Sequence, residues 1–138
     1  MVTYNLFISH SWTYSDAYEK LINLLDSAPR FSYKDYSVPK DDPIHNAPNE
    51  AKLYEAIKKQ MALAQVVIIL AGVYASYSKW IDKEILIAAR EFPSPKPILA
   101  IEPWGSEKTS QKVKDNADRI VGWNTNSIVN AIRELAHG

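Results

Sequence analysis

Within residues 76–88, SYSKWIDKEILIA, an indole at Trp80 stands one helical turn before a carboxylate at Glu84. On a helical wheel, at about 100 degrees per residue, Ile81, Ile85, Ala88 and Phe92 gather near about 115 degrees from Trp80, and that stripe faces a core. Glu84 falls at about 40 degrees, on the flank of the stripe, while Asp82, Lys83 and Arg90 turn toward solvent. A carboxylate at the border of a core, beside an indole and near a helix start, is placed to line a crevice and hold a substrate. The plainer alternative is a border glutamate that snorkels or pairs with a lysine.

The other chemistry-bearing residues exclude more than they offer. His10, His45 and His137 are the only histidines, and their separations fit no metal-ligand spacing. His45 in a proline-rich loop and His137 near the chain end read as surface residues. His10 ends a strand at the expected crevice, which leaves local hydrogen bonding and ligand contact both open. Ser9 and Ser11 flank it, but no base and orienter are arranged to make either a nucleophile. A phosphate cradle needs glycine where the first strand meets its helix, and none of the four glycines lies there. A magnesium-dependent phosphoacceptor would carry acidic side chains at the strand ends, where this chain has Ser9, His10, Ala71 and Gly72.

These residues depend on an alternating run of strands and helices. Residues 4–9 are apolar and β-prone and stop at Ser9, His10 and Ser11. Ala17, Leu21, Leu24, Leu25 and Ala28 keep helical spacing, with Asp16 as a cap and Pro29 as a stop. FSYKDYS suits a short, charged strand nearer an edge. VPKDDPIHNAPN then makes a long loop with three prolines, of a length usually tied to function or motion. Asn49 can cap a helix that buries Leu53, Ala56, Ile57, Met61 and Ala64. QVVIILAG, without polar alternation, reads as a strand buried on both faces of a parallel sheet. The Trp80 helix follows, then a second buried strand in ILAIEP, a loop with Gly105 and weakly helical residues, a last strand in ADRIVGW, and a closing helix on Ile128, Val129, Ile132 and Leu135. The pattern predicts a doubly wound α/β sandwich of five parallel strands in the order 2-1-3-4-5. The ligand crevice of such a sheet lies at the carboxyl ends of strands 1 and 3, which brings residues 9–14 opposite residues 72–79.

Composition sets the outer bounds. A chain of 138 residues suits one domain over residues 1–138. Sixteen basic and sixteen acidic side chains cancel, so no electrostatic footprint for nucleic acid or an anionic membrane is expected. The absence of cysteine suits a reducing, cytoplasmic setting. The start MVTYNLFISHSW is unlike a secretory leader, and the longest apolar run is too short to span a bilayer.

YNLFISHS resembles the first box of Toll/interleukin-1 receptor (TIR) domains, and SKWIDKE resembles their W-x-x-x-E segment, in the same order. The likeness covers nearly the whole chain. DYSVPKDDP and EPWG are similar to segments of the bacterial TIR-like group that includes signalling proteins of Thoeris anti-phage defence. The resemblance implies a three-layer flavodoxin-like TIR fold in which the proline loop corresponds to the BB loop, a lid or assembly contact. It also implies cleavage of NAD⁺, as substrate and not cofactor, at the bond between nicotinamide and ribose, with no metal. Under it Glu84 is the catalytic carboxylate and Trp80 offers its ring face to the pyridinium. Ser9 and His10 contact phosphate or ribose, and Tyr36 and Lys83 are further substrate contacts, although the wheel turns Lys83 away. The product is hydrolysed, cyclic or conjugated ADP-ribose, read by a separate effector protein, and self-association is conditional. Two other readings stay open: a non-catalytic TIR-like adaptor, and a nucleoside-processing transferase acting on N-glycosidic bonds.

Overall fold

A computed structural model describes residues 2–9, 16–36, 50–70, 79–102 and 111–137; the side chains of residues 16, 17, 50, 53, 79, 80 and 81 lie outside that description. The strands are β1 (Thr3–Ser9), β2 (Ser32–Asp35), β3 (Val66–Leu70), β4 (Ile98–Ile101) and β5 (Arg119–Val121). The helices are α1 (Asp16–Ser27), α2 (Glu50–Ala62), α3 (Lys79–Arg90), α4 (Gln111–Asn116) and α5 (Thr125–His137). All strand pairs are parallel and the order is β2-β1-β3-β4-β5, as the alternation predicts.

Period-two geometry explains the layers. Every residue of β3 is buried, and its neighbours along the chain point to opposite faces. Val67 and Ile69 join Phe7, Ile98 and Ala100 under α2, α3 and α4, where Ile57, Met61, Ile85, Ile87, Ala88 and Val113 complete the cluster. Val66, Ile68 and Leu70 join Leu6, Ile8, Leu99 and Ile101 under α1 and α5, against Leu21, Leu25, Ile128 and Ile132. The central strands are therefore sealed on both sides, and polar chemistry is left to their ends.

The joints between elements are polar. Asn5 and Gln65 lock the start of β3 to β1: the Asn5 N–H donates to Gln65 Oε1 at 2.9 Å, and the Gln65 N–H donates to the Asn5 carbonyl at 2.7 Å. Lys96 closes α2 by donating to the carbonyls of Ala62 (3.1 Å) and Ala64 (3.0 Å), which satisfies acceptors that a helix end leaves without partners. Pro29 ends α1, and Arg30 turns the chain with φ of 56° while Arg133 of α5 holds its carbonyl at 3.0 Å.

Some details depart from the sequence reading. Ala56 is exposed, and Tyr54, on the other side of Ile57, is the half-buried member of the α2 face. The last strand is three residues long, because Asp118 already closes the pairing by accepting the Ile98 N–H at 2.8 Å. His137 is not a loose end: its Nε2 lies 3.3 Å from the Tyr4 hydroxyl and its ring meets Tyr4 edge-on at 5.8 Å. The proline loop with His45, the cap at Asn49 and the loop with Gly105 lie outside the described residues. No helix among the described residues is long and apolar enough to cross a membrane.

A tyrosine–carboxylate seam ties α1 to the edge strand β2. Tyr18 donates to Asp35, and Tyr33 donates to Asp26 at 2.7 Å. Burial, followed by the bond to the neighbouring carboxylate, pushes both phenols well above the usual tyrosine range. The folded protein thus holds these protons more tightly than the unfolded chain. Their contribution is complete below the ordinary phenol pKa of about 10 and is lost as pH rises beyond it. Urea midpoints should hold up to about pH 10 and fall progressively as pH rises beyond it, and Tyr18→Phe/Tyr33→Phe should flatten that slope.

Candidate functional site

β1 ends in Ser9, which pairs with Ile69 of β3, so its side chain stands where the sheet's winding reverses. The opposing element is α3, whose second turn carries Glu84. Both residues are 0% exposed. The Ser9 hydroxyl donates to Glu84 Oε1 at 2.5 Å, the short end of the range for a hydroxyl on an ionised carboxylate. Removing a carboxylate from water costs several kcal/mol unless donors replace it, and Ser9 is one such donor. Ser9 and Glu84 are the only buried polar or charged residues among those described.

The flank position expected for Glu84 is corrected by the structure. Ile87, which the wheel omitted, is buried with Ile85 and Ala88. Ile87 lies about 20 degrees on the far side of Trp80, which moves the centre of the buried stripe from about 115 to about 60 degrees. Glu84, at about 40 degrees, is then near the middle of the stripe and not at its border. With no exposed surface, the carboxylate does not snorkel.

The remaining candidates are placed unevenly. Tyr36 follows β2 at the same end of the sheet, half-buried, with its N–H bonded to the Leu6 carbonyl at 2.8 Å. Lys83 is half-buried and lines a separate cleft with Tyr54, Leu86, Arg90 and Glu91, so it is not gathered with Ser9 and Glu84. Trp80 lies in the first turn of α3 but its side chain is not described, and His10 lies outside the described residues. Among the described residues no group of three acidic or imidazole side chains could hold a metal ion.

Chemically, the pair offers one buried carboxylate with a hydroxyl on one oxygen, beside the carboxyl ends of the central strands. A sugar hydroxyl is the same kind of donor as the Ser9 side chain. The sequence signal that could have found the burial was Ile87. The bond to Ser9 had no signal in the sequence, because it joins residues 75 positions apart.

A family model described as the TIR-like domain of the Thoeris protein ThsB matches residues 7–108. No curated protein matches the chain.

Ser9→Ala would remove a donor from a buried carboxylate without opening a large void. The expected loss is about 1–3 kcal/mol of unfolding free energy, read from urea denaturation. A loss near zero would show that Glu84 is satisfied without the serine.

Proposed function

Because the chain belongs to the TIR-like domain family of the Thoeris protein ThsB, with a TIR-family role in defence, we propose that it cleaves NAD⁺ between nicotinamide and ribose and makes an ADP-ribose-derived signal. The observation that supports the reading is the buried 2.5 Å bond between Ser9 and Glu84 at the switch point of the sheet.

The chemistry needs little more than one carboxylate. Glycosidases commonly use two, since an alkoxide leaving group must be protonated. Nicotinamide leaves from a cationic pyridinium: the bond between the ring nitrogen and ribose C1′ breaks, the electron pair stays on nitrogen, and the base departs neutral. Positive charge then grows on the sugar. Glu84 meets it with a negative charge held in a low-dielectric setting, where a fixed group stabilises a transition state most. Water or another nucleophile completes the sugar and gives up a proton. On this reading the face of Trp80 holds the pyridinium, an attraction of about 0.5–2 kcal/mol that fades when the ring becomes neutral. His10, Tyr36 and Lys83 are retained as outer substrate contacts, of which Lys83 fits least because it lines another cleft. NAD⁺ is substrate, the product passes to a separate effector protein in the cytoplasm, and self-association conditions activity.

Glu84 has no exposed surface, so the sugar must displace what covers it. A ribose hydroxyl replacing the Ser9 hydroxyl on Oε1 preserves the donor that the carboxylate needs. The same closure favours a second reading, in which the carboxylate only braces α3 against β1 and the domain is a non-catalytic assembly module.

Incubating the protein with NAD⁺ and following nicotinamide by chromatography separates the two. Glu84→Gln should lower release on the order of a hundredfold or more. Equal release by both proteins would remove Glu84 from the mechanism. No release by the unmodified chain, with self-association retained, would support the assembly module.

A further inference from the structure

Away from Ser9 and Glu84, α2 and the C-terminal part of α3 border an open cleft of about 250 Å³ lined by Tyr54, Lys83, Leu86, Arg90 and Glu91. Lys83, Leu86 and Arg90 stand at i, i+3 and i+7, which places them on one face of α3 with the two cations about 10 Å apart along the axis. Leu86 lies between them, 37% exposed. Tyr54 supplies the opposite wall, and its ring is fixed by the bond from its hydroxyl to Glu91 Oε1 at 2.9 Å. That bond, ahead of burial, raises the phenol pKa and keeps the hydroxyl a donor. Lys58 sits 3.6 Å from the same carboxylate oxygen. Glu91 is thereby tied to Tyr54 and Lys58 on α2, and Lys83 and Arg90 are the two cationic side chains among the residues that line the cleft.

From the cation–leucine–cation face of α3 and the braced ring of Tyr54, we infer that this cleft is a second binding site, for a small organic anion that joins a phosphate or carboxylate to one flat apolar ring. An arginine fork recognises the oxygens of such an anion in pairs, and the lysine adds a point charge. Leu86 and Tyr54 take the ring. The volume lies below the usual range for drug-sized ligands, about 300–1,000 Å³, which suits a single-ring monoester. The cleft is lined by neither Ser9 nor Glu84, shares only Lys83 with the NAD⁺ reading, and does not depend on that reading.

Phenyl phosphate and inorganic phosphate, titrated separately into the full chain, test the inference through the amide chemical shifts of Tyr54, Leu86 and Arg90. Phenyl phosphate should give saturating shifts at these positions and bind at least about tenfold more tightly than inorganic phosphate, because only it uses the apolar walls. Arg90→Gln, at an exposed position, should weaken binding about tenfold while leaving the circular dichroism spectrum unchanged. Glu91→Gln, which removes a negative charge from the rim, should tighten it. Absence of saturation at these amides, equal affinity for the two phosphates, or indifference to Arg90→Gln would each overturn the proposal.

Discussion

A carboxylate with no surface in water must find its donors inside the protein, and Glu84 finds one in the hydroxyl of Ser9. The contact joins the last residue of β1, an interior strand, to the second turn of a helix that arrives much later in the chain. It fixes how far α3 sits along the sheet, because sliding the helix by one turn would bury the charge against aliphatic side chains. Packing alone would not impose that register, since isoleucines recur on neighbouring turns of α3. The polar pair therefore orients the helix as well as marking the ligand end of the sheet.

The rest of the architecture protects that arrangement. With β3 and β4 buried along their whole lengths, the sheet has no polar group to spare except at its ends. The helices are tied at their own ends by side chains that reach across: Lys96 to the final carbonyls of α2, Arg133 to the carbonyl of Arg30, and Tyr18 and Tyr33 to carboxylates between α1 and β2. Such bonds lie at exposed or part-buried sites and contribute modestly one by one. Burial also lowers the basicity of Lys96, whose ammonium lies 5.2 Å from the ring of Phe92.

Much of this was legible in the sequence because periodicity reports burial directly. VVIIL and ILAI announce strands covered on two faces, and the alternation with helices announces a doubly wound parallel sheet, of which 2-1-3-4-5 is one common order. Side-chain environments were less legible where one residue tips a wheel. Leaving Ile87 out put Glu84 at a border, and including it puts Glu84 in the stripe. Ala56 misled for the opposite reason: alanine is apolar enough to count toward a face yet small enough to sit in water at little cost. The pairing of Ser9 with Glu84, and the cleft between α2 and α3, arise from elements brought together only in three dimensions. The local spacing of Lys83, Leu86 and Arg90 was visible, but their opposing wall at Tyr54 was not.

The strand order has a consequence for how the chain is born. β1 lies inside the sheet between β2 and β3, yet it pairs with β3 through contacts such as Asn5 with Gln65, 60 residues apart. On the ribosome β1 thus emerges before the partner that shields one of its edges, and at about 5–20 residues per second several seconds pass before that partner is made. In that interval α1 and β2, made directly after it, can shelter it. The charged, hydroxyl-rich character of β2, with Lys34 and Asp35 exposed, gives this parallel β1–α1–β2 unit a polar outer edge.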